Sequence, residues 1–237
     1  MPRYIPSLPF EDCYGSVGEK TYYHRNGICY YKKRARPEFP GTMLQMEHQT
    51  VHLRAIAAWQ SLETHIQKEW NRCAVGVQSH RPPFDGKSGI SGYNLFVSAY
   101  HGFARLGNER VPVPAPWENF PVYAVDNVTV VGKVGGVLRL GFHILMPEDV
   151  EAARYWLYTR VQLAKPGGGV RPGLMRNYLA GDGCPAGESV VEVNVPDYVG
   201  TWDLDLPAYR VHCRYLLIDS RTGYRNTYRV AKYDIVP

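Results

Sequence analysis

The sequence lacks the features that mark disulfide-bonded, zinc-ribbon or membrane-spanning proteins. It has five cysteines among 237 residues, an odd number, and no two are spaced C-x-x-C. This argues against a disulfide framework and a zinc ribbon, and favours isolated thiols in a reducing compartment. No apolar run approaches the roughly 20 residues of a membrane-spanning helix. Because the first residues, Met1–Pro6, contain no apolar signal-peptide core, we expect cytoplasmic synthesis without a signal peptide and without a membrane span.

The short motifs of several enzyme classes are also missing. Neither glycine-rich run, at 132–136 or at 165–169, has the spacing of a phosphate-binding loop, and no G-x-S-x-G motif is present. His48 and His52 are four residues apart on a predicted helix, but the glutamate of the H-E-x-x-H zinc motif is absent. We therefore predict a non-enzymatic protein without cofactor or metal, and interpret His48 as a packed, hydrogen-bonded core histidine.

The residues that are present give an ordinary folded composition with an excess of tyrosine. Hydrophobic residues make up 45% of the chain and charged residues 21%, which argues against disorder. The 18 tyrosines favour strands and interfaces, because the ring buries area while the hydroxyl stays hydrated. The formal net charge of +5 permits contact with nucleic acid without requiring it.

The first half of the chain predicts an arm, a hairpin and three helices. Residues 1–19 are rich in proline and glycine and are predicted to form an irregular N-terminal arm. Asn26-Gly27 predicts a tight turn between strands at 21–25 and 28–32. Thr42 and Gln45 form a capping-box pattern that opens a helix of about five turns. The same pattern at Thr64 predicts a second helix, and Ser91 is predicted to cap a third.

Four aromatic residues are the predicted structural anchors of this helical module: Trp59, Trp70, Tyr93 and Phe96. Trp59 and Trp70 lie on either side of the predicted break between the first two helices. We expect their rings to meet across the break and Tyr93 and Phe96 to close the third side, since each large ring can bury on the order of 150–250 Å².

A change of period marks the second half of the chain. Residues 107–121 contain four prolines and predict an extended linker between domains. After them, apolar and polar residues alternate in about seven segments, a spacing typical of an antiparallel sandwich of immunoglobulin or fibronectin type. The predicted fold is therefore α+β. It comprises the arm at 1–19, a tyrosine-rich hairpin with a three-helix module at 20–106, the linker at 107–121 and the sandwich at 122–237.

The main candidate contact segment is the basic stretch at 20–41. It carries six lysines and arginines against one glutamate, interleaved with tyrosines. Cations beside stackable rings are typical of nucleic-acid surfaces, whereas lysines on a hairpin edge also protect against edge-to-edge pairing. The candidate contact residues, for nucleic acid or for protein, are Tyr30, Tyr31, Lys32, Lys33, Arg34 and Arg36.

A spaced pattern runs through the first half of the chain: Pro-x-Thr-x-x-Gln, then Trp-Asn, then Ser-Gly-Tyr-Asn-x-Phe. The residues that form it are Pro37, Pro40, Thr42, Gln45, Trp59, Leu62, Trp70, Asn71, Ser91, Gly92, Tyr93, Asn94 and Phe96. In this pattern, roughly residues 20–100 of the chain resemble an uncharacterised family of Bacteroidota and their phages, which is known only as a domain of unknown function. This resemblance implies no activity, and it suggests a structural component of a virion or another mobile element.

Three functions remain open at the level of sequence. The first is a structural protein that assembles with itself or with other proteins of a larger particle, such as a virion. The second is a nucleic-acid-binding protein that uses the segment 20–41. The third is a carbohydrate- or surface-binding module in which Trp156, Tyr198 and Trp202 serve as stacking platforms.

Overall fold

The computed structural model describes residues 15–25, 28–34, 41–77, 89–151, 153–204 and 209–235. The chain forms two compact units, residues 1–46 and residues 47–237. Several predicted features lie outside the described residues: most of the arm, the turn at 26–27, Arg36, Pro37 and Pro40. The predicted domain limits at 20, 107 and 122 remain predictions.

The first unit contains a three-stranded antiparallel sheet, here called the tyrosine sheet. Its strands, in spatial order, are β1 (Gly15–Val17), β2 (Lys20–Arg25) and β3 (Ile28–Lys33). The predicted hairpin is confirmed, with Tyr22 opposite Tyr31 and Tyr23 opposite Tyr30. The prediction of an irregular arm through residue 19 is wrong for β1, which pairs with β2. Three residues with one apolar side chain give no alternating pattern from which β1 could be predicted.

Three helices follow in the chain: α1 (Met43–Ser61), α2 (Thr64–Cys73) and α3 (Gly92–Arg105). The capping box of α1 is confirmed. The Gln45 amide donates to Thr42 Oγ1 at 3.4 Å, and the Thr42 amide donates to Gln45 Oε1 at 3.2 Å. Ser91 caps α3 as predicted, because its hydroxyl accepts a hydrogen bond from the Asn94 amide at 3.2 Å.

The predicted side-chain cap of α2 is wrong. The residue before this helix is Glu63, whose side chain makes no capping hydrogen bond. The Gln67 side-chain amide instead donates to the carbonyl oxygens of Trp59 at 3.0 Å and Leu62 at 3.4 Å. Gln67 therefore satisfies backbone acceptors at the end of α1, and this fixes the turn between the two helices.

Seven strands of the second unit form one large antiparallel sheet. They are β4 (Ala124–Val134), β5 (Val137–Met146), β6 (Tyr155–Ala164), β7 (Arg176–Gly183), β8 (Gly187–Pro196), β9 (Tyr209–Asp219) and β10 (Arg229–Ile235). Their spatial order is β10-β9-β6-β7-β8-β5-β4. β7 pairs with β6 through several residues, but with β8 only where Ala180 faces Val193. A short helix, α4 (Tyr198–Trp202), connects β8 toward β9.

The inner face of this sheet holds the main hydrophobic core. On β5, Leu138, Leu140, Phe142 and Ile144 are fully buried, which confirms the predicted alternation. β6 and β9 are also covered on their outer face, where Tyr158, Leu216 and Ile218 form a separate buried cluster. The inner and outer faces of these two strands therefore have different environments.

The two edge strands of the sheet approach each other. The Tyr233 hydroxyl on β10 donates to the Val125 carbonyl on β4 at 2.6 Å, and the Arg229 guanidinium donates to the Tyr123 carbonyl. The sheet therefore curls until its edges meet at these bonds. The part of the predicted fold that is confirmed is an α+β chain with a large antiparallel sheet.

Residues 107–121, here called the strap, form neither helix nor strand. Ala115, Trp117 and Phe120 pack against a buried cluster that includes Trp70 and Phe96. Phe120 also packs against the core of the seven-stranded sheet. The strap therefore touches both the helices and the sheet of the second unit.

Among the described helices, none combines the length and apolarity that a bilayer crossing requires. Cys73, Cys184 and Cys213 are free thiols, whereas Cys29 Sγ lies 2.8 Å from His24 Nε2. Burial raises the pKa of Cys184 and of Cys213 to about 12. These two thiols are therefore protonated at neutral pH, a state in which cysteine is unreactive.

Candidate binding surfaces

The tyrosine sheet carries a pair of aromatic rings on each of its two faces. Because cross-strand partners share a face, Tyr22 and Tyr31 lie on one side and Tyr23 and Tyr30 on the other. The ring centroids are 6.2 Å apart in the first pair and 5.8 Å apart in the second, which is stacked. No described side chain of this unit is buried. The sheet is thus built around two half-exposed aromatic pairs.

Lysines stand over these rings on both faces. Lys20 Nζ lies 4.7 Å from the centroid of Tyr31, and Lys32 Nζ lies 5.9 Å from that of Tyr23. Lys33 and Arg34 are exposed at the end of β3, and the Arg34 amide donates to the Glu19 carbonyl at 2.6 Å. Of the predicted contact residues, the structure therefore brings together Tyr30, Tyr31, Lys32, Lys33 and Arg34. Rings flanked by cations suit a ligand with planar groups and negative charge.

The four predicted anchors lie together in the helical module, but the expectation that the Trp59 and Trp70 rings meet directly is wrong, because each contacts the Phe96 ring instead. Trp59 contacts Tyr93 and Phe96 at centroid distances of 5.6 and 5.4 Å, and Trp70 meets Phe96 edge-on at 5.4 Å. Trp70 and Phe96 are fully buried, whereas Trp59 and Tyr93 are half-buried. Two large rings packed this way contribute roughly 0.5–1.5 kcal/mol beyond the area they bury.

Tyr224, which follows β9, joins the helical module to the sheet. Its ring contacts Trp70 at 6.4 Å and Trp117 at 5.2 Å, and its hydroxyl donates to the Ala115 carbonyl at 2.6 Å. Arg110 of the strap donates to the carbonyls of Ser220 and Arg221 at 2.5 and 2.9 Å. The turn after β9 therefore holds the strap and the helices together.

Three histidines meet between α1 and α3 and are here called the histidine cluster: His48, His52 and His101. The rings of His48 and His52 lie 4.8 and 5.7 Å from that of His101, and His52 Nδ1 is 3.4 Å from His101 Nε2. Burial, then the charges of His48 and of nearby arginines, lowers the pKa of His101 to about 4. Among the described residues, no set of His, Cys, Asp and Glu is arranged to hold a metal ion.

The interpretation of His48 as a core histidine is wrong. His48 and His52 are exposed on α1, and only His101 is buried. The periodicity placed His48 on the apolar stripe of α1, but the first turns of this helix are exposed and its burial begins near Ala55. His48 stacks on a buried partner from α3, and this partner could not be predicted from helical spacing alone.

Four arginines on one side of the second unit, here called the arginine face, were not predicted: Arg105, Arg160, Arg214 and Arg225. Arg160 on β6 and Arg214 on β9 are direct cross-strand neighbours on the outer face. The Arg105 guanidinium lies 4.9 Å from the ring centroid of Tyr158, which is two residues before Arg160 on β6 and on the same face. Arg105 Nη1, Arg160 Nε and Arg214 Nε are buried and make no hydrogen bond.

A sequence signal for this face did exist. Tyr158, Arg160 and Gln162 alternate along β6, and His212, Arg214 and Leu216 alternate along β9, so each arginine interrupts an otherwise buried row. Counting charges in contiguous runs misses Arg160 and Arg214, because they lie 54 positions apart in the chain and meet only through strand pairing.

The three rings of the predicted carbohydrate platform do not share a free surface. Tyr198 is 5% exposed and meets Tyr209 edge-on at 6.4 Å within the core. Trp156 Nε1 donates to the Ala153 carbonyl at 3.2 Å, and Trp202 Nε1 donates to the Leu174 carbonyl at 2.9 Å. With Tyr198 in the core, these three residues cannot stack together on one sugar chain.

Comparisons with known proteins leave the family of this chain open. No protein-family model matches it, and no curated protein matches it. The resemblance to the Bacteroidota and phage family therefore remains a prediction.

Proposed function

We propose that the chain is a non-enzymatic structural protein that assembles into a larger particle, with a sandwich of immunoglobulin or fibronectin type as its rigid body. Lettered A to G along the chain, strands β4 to β10 lie in the order G-F-C-D-E-B-A. The constant-type immunoglobulin sandwich pairs A-B-E-D in one sheet and C-F-G in the other, and both runs are present in this order. The departure is strand D, β7, which pairs mainly with C.

The observation that carries the assembly proposal is the tyrosine sheet. It holds two tyrosine pairs and no buried described side chain, although a sheet of three short strands needs a covered face to be stable. Tyrosine is enriched at protein interfaces because its ring buries area at a small entropic cost. A protein partner that covers these rings would supply the missing burial. The resemblance to phage-associated proteins supports a virion or another mobile element as the particle.

Size-exclusion chromatography with light scattering tests this proposal. We expect the wild-type chain to form a defined oligomer well above the 26.9 kDa of one chain. The double variant Tyr30→Ser/Tyr31→Ser removes one ring from each face and should dissociate the oligomer. Tyr30→Phe/Tyr31→Phe keeps both rings and should preserve it. A wild-type chain that stays monomeric at every concentration, alone and with the other proteins of its particle, would contradict the proposal.

A second candidate function, nucleic-acid binding, is favoured by the lysines that stand over the rings. Lys20, Lys32, Lys33 and Arg34 oppose only Glu19 among the described side chains of β1 to β3 and their turns. Bases can stack on tyrosine while the cations neutralise phosphates. Such binding weakens with salt, with a log–log slope of about −0.7 for each phosphate neutralised on a single strand.

Fluorescence anisotropy with a labelled single-stranded oligonucleotide tests this candidate. Lys32→Glu/Lys33→Glu should abolish binding and flatten the salt dependence. The control Lys68→Glu/Arg72→Glu makes the same charge change on the exposed surface of α2. Because salt screens long-range attraction, this control should change the affinity by no more than about twofold. Equal loss in both variants would mean that net charge, and not the tyrosine sheet, determines binding.

A further inference from the structure

The arginine face lacks the carboxylate partners that several other arginines of the second unit have. Five others are ion-paired: Arg54 with Glu109, Arg139 with Glu192, Arg154 with Asp219 and Glu118, Arg210 with Asp234, and Arg221 with Glu151. None of the four arginines of the arginine face is within ion-pair distance of a carboxylate in the part of the chain that the structure describes. Their positive charge is therefore left for a ligand to neutralise.

The strand register shows how far this uncompensated region extends. Cross-strand partners form rows that run across the sheet. In the row of Arg160 and Arg214, the partner of Arg160 on β7 is Asn177, and the partner of Arg214 on β10 is Val230. The adjacent rows contain Tyr158 opposite Leu216, and Gln162 opposite His212, which itself faces Lys232. Along β9 and β10, the first carboxylate on this face is Asp234, which already binds Arg210. Like charges directly opposite each other destabilise a sheet, so this arrangement opposes folding in the absence of a ligand.

The cations converge around Tyr158. The Arg105 guanidinium lies 4.9 Å from the Tyr158 ring centroid, and Arg160 is the next residue of β6 on the same face. Arg225 pairs with Ile218, two residues beyond the cross-strand partner of Tyr158. In keeping with this placement, the charges of all three arginines oppose the rise that burial causes in the pKa of Tyr158. Arg225 is itself half-buried, and burial together with the charge of Arg105 lowers its pKa to about 10. Cations held this close together suit one compact, multiply charged anion better than an extended acidic chain.

A cavity of about 240 Å³ adjoins the cluster. Its lining combines a cation and hydroxyl groups with aromatic and apolar residues: Arg225, Thr227, Ser98, Trp117, Tyr228, Val77, Ile90 and Leu95. Asn226 also lines it, but its side chain already bonds the Leu217 amide and the Tyr123 hydroxyl. A cation and hydroxyl groups beside an apolar wall can bind a charged group and an organic body attached to it. The cavity thus provides volume next to the unpaired charge.

We propose that the arginine face binds a ligand that carries two or more phosphate groups. A carboxylate supplies one negative charge and would leave most of the four guanidinium groups unpaired. A phosphate monoester carries about −1.5 to −2 charges at pH 7 and offers three acceptor oxygens, so two phosphates come close to matching the cluster. Planar guanidinium groups bind such oxygens in pairs. This site lies outside the tyrosine sheet and does not depend on the function proposed for it.

Pyrophosphate is the probe for the test, measured by titration calorimetry and by the shift in melting temperature of the full chain. We expect saturable binding with one site per chain. Arg160→Gln/Arg214→Gln keeps the side-chain stems and should weaken binding by about tenfold or more per arginine, as expected for hydrogen bonds to charged groups. Without ligand, this variant should melt above the wild type, since it relieves repulsion between like charges.

Arg210→Gln is the matched control, because Arg210 lies on the same strand and face but is ion-paired with Asp234. It should bind pyrophosphate as the wild type does. Arg225→Gln, in the loop before β10, is a second test variant if the double variant folds poorly. Absence of pyrophosphate binding at millimolar concentration, unchanged affinity in both test variants, or an equal loss in Arg210→Gln would overturn the proposal.

Two further probes separate the sources of phosphate. Competition between a nucleoside triphosphate and pyrophosphate would identify a small-molecule site. In that case we expect the base to bind in the adjoining cavity. A 5′-phosphorylated oligonucleotide that competes, while its unphosphorylated counterpart does not, would identify a nucleic-acid end. Either result supports the proposal. Competition by sulfate at equal affinity would overturn it, because one divalent anion would then suffice.

Discussion

Gly102 of α3 lies directly against the carbonyl group of Gly223 in the turn after β9. A Cβ atom at Gly102 would overlap the Gly223 carbonyl oxygen, and a Cβ at Gly223 would overlap the carbonyl oxygen of Ala99. This contact places Tyr224 between Trp70 and Trp117. The pair of glycines therefore allows the backbone of the helix to meet the backbone of the turn.

The Gly102→Ala variant tests this close approach. On an exposed helix, this change stabilises by roughly 0.5–1 kcal/mol because alanine is the better helix former. Here we expect destabilisation by about 1–3 kcal/mol or more, because α3 must move away from the turn. Urea unfolding followed by circular dichroism gives the sign. Gly173→Ala is the control, since a Cβ there meets no atom within 4 Å and the change should be nearly neutral. Stabilisation by Gly102→Ala would show that the contact is looser than described.

The histidine cluster predicts that the protein loses stability in mild acid. Because the pKa of His101 falls from 6.5 to about 4 on folding, the unfolded chain binds more protons between these values. Stability is therefore complete above about pH 6.5 and is lost as the pH falls toward 4, by on the order of 2–3 kcal/mol. Unfolding free energies at pH 7, 5.5 and 4.5 measure this loss.

The His101→Gln variant should flatten that pH dependence, because glutamine does not titrate. His65→Gln removes an exposed histidine of α2 that lies 3.0 Å from Glu63, and it should leave the loss in place. If the wild type were equally stable at pH 7 and pH 4.5, the neutral buried His101 would be excluded as a determinant of stability.

The two carboxylates that bind Arg154 should differ in their importance. Asp219 lies 2.9 Å from the guanidinium with a side chain 5% exposed, whereas Glu118 lies 2.5 Å away but is 61% exposed. Asp219 also accepts a hydrogen bond from the Arg221 amide at 2.8 Å. Asp219→Ala should cost about 3–5 kcal/mol, because it removes the buried partner of Arg154, leaves that cation only the exposed Glu118, and deprives the Arg221 amide of its acceptor. Glu118→Ala should cost no more than about 1 kcal/mol, and thermal unfolding of both variants compares them.

Tyr224 allows the ring and the hydroxyl to be tested separately. Tyr224→Phe removes the hydrogen bond to the Ala115 carbonyl and should cost about 0.5–1.5 kcal/mol. Tyr224→Ala also removes the ring from between Trp70 and Trp117 and should cost about 3–5 kcal/mol. Tryptophan fluorescence during unfolding reports both, and equal costs would mean that the ring contributes little.

Local patterns predicted much of the fold. The seven strands of the large sheet, the hairpin of the tyrosine sheet and the caps at Thr42 and Ser91 all follow from period, turn and capping chemistry within a few neighbouring residues. The α2 cap failed because Gln67 bonds the preceding helix instead. Competition between two local hydrogen-bonding partners is decided by the turn geometry, which the sequence pattern does not specify.

Features that depend on strand order were not predictable in the same way. The prolines of the strap predicted its extended course, but Trp117 meets Tyr224 only because of where β9 ends. Arg160 and Arg214 are neighbours because β6 and β9 pair, although two other strands lie between them in the chain. The arginine face is thus a product of topology, whereas the basic tyrosine segment could be seen in the sequence because its residues are contiguous.

The glycine contact also limits how this chain can be recombined in evolution. Because α3 contacts the turn after β9 through the backbone at Gly102 and Gly223, the helix packs well only against a turn of the same shape. A gene rearrangement that attached the helices α1, α2 and α3 to another sandwich would also have to transfer the Thr222–Tyr224 segment and the strap. We therefore expect the helices and this edge of the sandwich to be inherited as one piece, even where the remaining strands diverge.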